Sequence, residues 1–230
     1  LAEANREAVA LLARVRERWD SRATPIVISG NVGPRGDGYR AAFRMGAAAA
    51  RDYHLAQIAT FAASEADMVA GFTITYPDEA IGIVDAAAAC DMPVAISFTL
   101  ELDGRLPSGD TLSEAIARTD GETGAYAAYY MVNCAHPSHV EPALAPDGTW
   151  RRRLRGLRAN ASRRSHAELD ESTELDEGDP QELGEDYLAL HMLLPRLNVV
   201  GGCCGTDERH VEAIARRLLA VQRERRAGND

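Results

Sequence analysis

The sequence predicts an α/β fold, a parallel sheet covered by helices, and three observations carry that expectation. Its strand candidates are short and almost continuously apolar, as strands buried on both faces are. They alternate with helical patterns about six times along the chain. The 230 residues, 46% of them apolar, suit one sizeable globular domain, read here as spanning residues 1–230.

Residues 1–19 read as an amphipathic helix through Leu1, Ala8, Leu11, Leu12 and Val15. Residues 25–30 (Pro-Ile-Val-Ile-Ser-Gly) are a short strand opening into the glycine-rich loop 31–38. That loop has no dinucleotide fingerprint and, taken alone, is an ordinary strand-to-helix loop. An Ala-rich helix over 45–63 carries Tyr53, His54 and Gln57, with His54 a packing residue rather than a ligand. A strand over 67–73, a helix over 79–89 and a strand over 93–100 follow, the last alternating Val94, Ile96 and Phe98. Cys90 reads as a buried helix residue. A helix begins near Thr111, with Thr111 or Ser113 as its cap, and a strand over 129–134 ends at Cys134.

Residues 141–187 are the least regular portion, basic over 150–158 and acidic over 168–179. They read as a solvated loop with internal charge pairing that could cover a site, interrupted by a short strand over 156–160. A helix over 183–194 precedes Pro195 and the apolar run 197–200. Thr206 then reads as the cap of a last helix carrying Val211, Ile214, Leu218 and Leu219.

The formal net charge of −10 argues against nucleic acid and against an anionic membrane surface. No apolar run approaches the ~20 residues of a membrane span, and no signal peptide is visible. The four cysteines fit a reducing cytoplasm better than a disulfide framework. All 25 basic residues are arginine, which excludes Schiff-base chemistry and a P-loop lysine. Leu1 already lies inside a helical pattern, so an upstream segment is expected.

The densest chemical signal is Gly201-Gly202-Cys203-Cys204-Gly205-Thr206, directly after the apolar run 197–200. Neighbouring strand residues point to opposite faces, so aiming both sulfurs at one point requires an irregular backbone, which the glycines permit. With Cys134 closing another strand, three thiols fall at carboxyl ends of strands, where α/β enzymes place their chemistry. Three cysteines suit a soft metal and leave a fourth zinc position for substrate. His136 is read as a loop residue beside Cys134, and Asn133 as a hydrogen-bonding neighbour of the thiolates.

Residues 201–206, with Val132-Asn133-Cys134 about seventy positions earlier, resemble the zinc-dependent homocysteine S-methyltransferases. The likeness runs from about Leu1 to about Arg217. It implies a (β/α)8 TIM barrel whose first one or two βα units lie upstream. It also implies a thiol methyltransferase that makes methionine, with zinc on Cys134, Cys203 and Cys204. Asn31, Thr73, Asn133 and Asn160 are the candidate substrate contacts. Two features depart from the family pattern within this sequence. Its Glu-Thr pair appears as Phe72-Thr73, so a phenyl ring replaces the carboxylate that grips the amino group, with Thr73, Thr75 or Glu79 left as substitutes. Its Pro-Asn pair appears as Ala159-Asn160.

The expected partners are a small-molecule thiol and a methyl donor, with homo-oligomerisation left open. Without clustered aromatics to cage a quaternary ammonium, S-methylmethionine or S-adenosylmethionine is favoured over betaine. The alternatives are a thiol acceptor lacking the α-amino group and a non-catalytic, regulatory zinc-binding barrel.

Overall fold

The computed structural model describes residues 1–227. Among them six strands form one sheet in the order β1-β2-β3-β4-β5-β6, bearing out the α/β expectation. The pairs β1–β2, β4–β5 and β5–β6 are parallel. The chain divides into two compact units, Leu1–Ser97 with Ala115–Tyr129, and Phe98–Glu114 with Tyr130–Asp230.

The first unit holds α1 (Ala2–Trp19), β1 (Ser29–Val32), α2 (Ala47–Ala62), β2 (Met68–Ile74), α3 (Pro77–Ala89) and β3 (Val94–Phe98, but for its last residue). It also takes most of α4 (Leu112–Glu122). The first strand lies later than the expected 25–30, for a local reason. The Ile26 N–H donates to Asp20 Oδ1 at 2.6 Å and the Ile28 N–H to Asp67 Oδ2 at 2.7 Å, so side chains take the donors of this segment. Asp67 Oδ2 also receives Arg16 Nη1 at 2.8 Å, tying α1 to the start of β2. α2 and α3 pack closely because Gly82 has no Cβ: one built there would lie 2.5 Å from both Ala50 Cβ and Arg51 N. Cys90 is the C-cap of α3 and half-buried, rather than a buried helix residue.

The second unit carries β4 (Tyr129–Asn133, but for its first residue), α5 (Pro137–Ala143), a 3₁₀ turn (Thr149–Arg152) and β5 (Leu154–Ala159). After these come α6 (His166–Asp170), α7 (Pro180–Leu193), β6 (Val199–Gly202) and α8 (Glu208–Ala227). The irregular stretch expected over 141–187 is thus mostly structured. His136 caps α5 and Ser165 closes a capping box with Glu168 over α6. Asp179 accepts the Gln181 and Glu182 N–H groups at the head of α7. The loop segments on either side of α6, residues 160–165 and 171–179, are held by ion pairs such as Arg164–Asp176 (3.5 Å) and Arg209–Glu177 (2.8 Å). The last strand includes both glycines that the sequence reading left beyond it.

Candidate metal centre

Register brings the thiols together. Asn133 pairs with Arg158, and Arg158 with Gly201, so β4 and β6 reach one level on either side of β5 just before Cys134 and Cys203. Cys134 follows β4 with φ +52°, a left-handed conformation that costs a non-glycine residue about 1 kcal/mol. Two hydrogen bonds hold it there. Its N–H donates to the Arg158 carbonyl at 3.1 Å, and its own carbonyl accepts Asn160 Nδ2 at 3.1 Å.

Cys203 and Cys204 leave β6 in a tight turn, as the glycine pattern required. The Cys203 N–H donates to the Ala159 carbonyl at 2.7 Å. The Cys203 carbonyl accepts Thr206 Oγ1 at 2.7 Å, and the Cys204 carbonyl accepts the Ala161 N–H at 3.0 Å. Gly205 closes the turn at φ +77°, and a Cβ on it would lie 2.4 Å from the Asp176 carbonyl oxygen. Thr206 is therefore a turn residue and not the helix cap. Asp207 caps α8, its Oδ1 accepting the Arg209 N–H at 2.9 Å, and Arg209 and His210 hold its carboxyl well below the usual carboxylate range.

The Cys134 and Cys203 sulfurs are in bonding contact, with Cα atoms 5.6 Å apart, and the Cys203 and Cys204 sulfurs are 3.9 Å apart. All three Sγ atoms lie within 4.8 Å of one another. Tetrahedral zinc with bonds of ~2.3 Å separates its sulfurs by ~3.8 Å. The Cys203–Cys204 spacing of 3.9 Å already matches this, and the Cys134 and Cys203 sulfurs meet it once they part as thiolates. Soft sulfur donors at hydrogen-bonded backbone positions therefore fit zinc. Cys134 is buried and Cys204 exposed, so solute reaches the cluster from the Cys204 side.

Asn160 is 3% exposed, and its Oδ1 has no hydrogen-bond partner although its Nδ2 is engaged. An acceptor this buried and unused is costly unless something else supplies a donor. Asn133, on β4, is likewise buried. His136 does not join the thiols: its Nδ1 accepts the Ser138 N–H at 3.2 Å. Burial, reinforced by Arg163 and His139, pushes its pKa down to about 3, outweighing Asp186 Oδ2 at 3.4 Å from Nε2.

Asn31 and Thr73 belong to the first unit. Asn31 is exposed on β1, and Thr73, near the end of β2, adopts φ +60°. Thr75 and Glu79 are buried there. Glu79 Oε1 accepts the Arg35 N–H at 2.7 Å and lies 3.0 Å from His54 Nε2, so His54 is the packing residue the sequence suggested. Sequence reasoning missed Tyr187, a buried α7 residue whose hydroxyl meets the ends of β5 and β6; a lone tyrosine on an ordinary helix carries no signal of such a contact.

Comparison with known proteins agrees with this geometry. The family model described as homocysteine S-methyltransferase matches residues 1–218. The chain belongs to the homocysteine S-methyltransferase family. It is accordingly a methyltransferase, of a family that acts on a small-molecule thiol with a methyl donor. No curated protein matches it by sequence. Among solved structures it resembles the homocysteine methyltransferase MmuM from Escherichia coli. The oxidized form matches with a TM-score of 0.74 at 21% identity, over 94% of this chain and 70% of that one. The metallated form matches with a TM-score of 0.69 at 19% identity over the same shares. The apo form gives 0.67 at 19% identity, over 94% of this chain and 73% of that one. At such identities the likeness establishes the fold alone. No helix among the described residues is long and apolar enough to cross a membrane.

Proposed function

We propose that the protein is a zinc-dependent S-methyltransferase that moves a methyl group from a cationic donor to homocysteine, giving methionine. The observation that carries this reading is the convergence of Cys134, Cys203 and Cys204 at the ends of two strands in a member of this family. Those three residues would hold the metal. Bound zinc would supply the lowered thiol pKa that keeps the acceptor as a thiolate at neutral pH.

The rest falls to the chain. Asn160 Nδ2 and the Arg158 carbonyl hold Cys134 in its left-handed conformation. The Thr206 and Ala161 contacts hold the vicinal pair. The exposed side of Cys204 admits the acceptor. Asn31, Thr73, Asn133 and Asn160 are proposed substrate contacts, and the unused Oδ1 of Asn160 is an acceptor suited to a substrate N–H. Transfer would then depend on how the chain aligns acceptor and donor rather than on a protein base. S-methylmethionine or S-adenosylmethionine, whose methyl leaves a sulfonium, is the proposed donor. The proposed architecture is an eight-stranded barrel to which one or two further βα units contribute, and the proposed setting is the reducing cytoplasm.

One observation favours a second reading. Phe72 stands where the family pattern has a glutamate, and Glu79 is engaged with Arg35 and His54, so an acceptor thiol without an α-amino group fits this chain as well. Metal analysis of the full-length protein, followed by methyl transfer to a panel of thiols, tests both. Zinc-dependent turnover with homocysteine supports the first reading, and turnover confined to thiols lacking the amino group supports the second. Bound zinc with no turnover on any thiol defeats both in favour of a regulatory zinc protein.

A further inference from the structure

Tyr187 lies near the middle of α7 and is fully buried. Its hydroxyl meets three backbone groups. It accepts the Ala159 N–H at 3.0 Å and reaches the Gly201 carbonyl at 2.6 Å and the Leu157 carbonyl at 2.9 Å. Ala159 closes β5, and Gly201 stands one residue before the end of β6. The phenol therefore sits on the final step of that ladder, where strand pairing gives way to the turns that present the thiols. Burial pushes its pKa well above the ordinary value, so it keeps its proton and remains a donor.

We infer that Tyr187 is a positioning residue of the cysteine cluster, clamping β5 to β6 so that all three sulfurs are held at one point. Each cysteine is tied to the segment that this clamp fixes. Cys203 is tied through its N–H to the Ala159 carbonyl, Cys204 through its carbonyl to the Ala161 N–H, and Cys134 through its carbonyl to Asn160 Nδ2. Residues 159–161 thus grip the cysteines one after another, and Tyr187 anchors the first of the three residues. A slip of β5 against β6 would move Cys203 and Cys204 relative to Cys134. Zinc tolerates little of this, since its bonds must hold to about 0.2 Å. Hydrogen-bonding partners one step removed from a metal typically govern 10- to 100-fold in affinity.

The inference rests on the zinc reading of the site, and its test separates the two. Zinc affinity is measured by chelator competition on full-length protein, together with the absorption spectrum of the cobalt-substituted form. Tyr187→Phe keeps the ring packing and removes only the hydroxyl. Tyr76→Phe is the control, because Tyr76 is equally buried and accepts the Met45 N–H at 3.0 Å within the first unit. Leu190→Ala is a second control, loosening the same helix without touching the ladder. All three variants should lose thermal stability, while only Tyr187→Phe should weaken zinc tenfold or more and shift the cobalt spectrum. Wild-type zinc affinity and an unchanged cobalt spectrum in Tyr187→Phe overturn the inference, as does an equal loss of affinity in Leu190→Ala. An unsubstituted protein that retains no zinc defeats the metal reading itself.

Discussion

Replacing Gly205 by alanine probes the turn behind the vicinal cysteines without altering any sulfur. At φ +77° the new side chain takes a left-handed conformation, costing about 1 kcal/mol. Its Cβ would sit 2.4 Å from the Asp176 carbonyl oxygen, so one side must retreat by about 1 Å to reach ordinary contact. Asp176 is poorly placed to do so, because its side chain accepts Ser162 Oγ at 2.7 Å and the Gly178 N–H at 3.1 Å. The turn therefore moves, and Cys204, the residue just before it, moves with it. A combined cost of ~2–4 kcal/mol is expected, which corresponds to ~30- to 1,000-fold in zinc affinity if it falls on the bound state. Chelator competition and urea unfolding with and without zinc read both quantities. Gly33→Ala is the reference, since that position is open and not left-handed. If Gly205→Ala matches Gly33→Ala in stability and in zinc affinity, the turn does not hold the site and the reasoning fails.

Three further outcomes are expected. Cys134→Ala and Cys203→Ala should each lose zinc on gel filtration, and a variant that still elutes with a full complement contradicts the ligand assignment. Glu79→Ala leaves the Arg35 N–H and the His54 ring without their partner inside the first unit. It should cost ~2–4 kcal/mol in urea unfolding, and a loss under ~0.5 kcal/mol, the range of ordinary surface changes, would show that Glu79 is not an anchor. His139 is held below its ordinary pKa, chiefly by burial, with the Arg163 carbonyl opposing. Its neutral form is thus the native one, and the stability it contributes is full above the unfolded value near 6.5 and lost as pH falls toward the folded value. The loss can reach ~1.4 kcal/mol per pH unit below about 6.5. His139→Gln should flatten urea midpoints between pH 7.5 and 5.5, and an unchanged slope would exclude His139 as its source.

How much was legible in the sequence followed from the range of the interactions. β2, β3 and β4 lie close to the expected positions because a strand buried on both faces advertises itself in consecutive residues. The thiol cluster was legible for a related reason: vicinal cysteines among glycines have few structural uses. β1 was displaced because Asp20 and Asp67 take N–H groups that the apolar pattern assigns to the ladder. α5 escaped notice behind Pro137 and an internal Pro142, although proline at the first helical position is compatible with a helix. Tyr187 and the Nδ2 of Asn160 were not legible, since their partners are backbone groups 14 to 30 residues away along the chain.

The same division bears on specificity. The three thiols and the backbone that aims them form a self-consistent set within the second unit, each sulfur placed by contacts that do not depend on which thiol is methylated. The position that departs from the family pattern, Phe72, lies in the first unit on β2, beside Thr73 at φ +60°. Restoring a carboxylate with Phe72→Glu should therefore leave zinc affinity unchanged and alter only the choice of acceptor. It should favour amino thiols, through the charge-assisted hydrogen bond that a phenyl ring cannot make. Unchanged acceptor preference would mean that recognition of the amino group does not run through residue 72. Altered zinc affinity would mean that the two functions are not as separate as the contacts of Cys134, Cys203 and Cys204 make them.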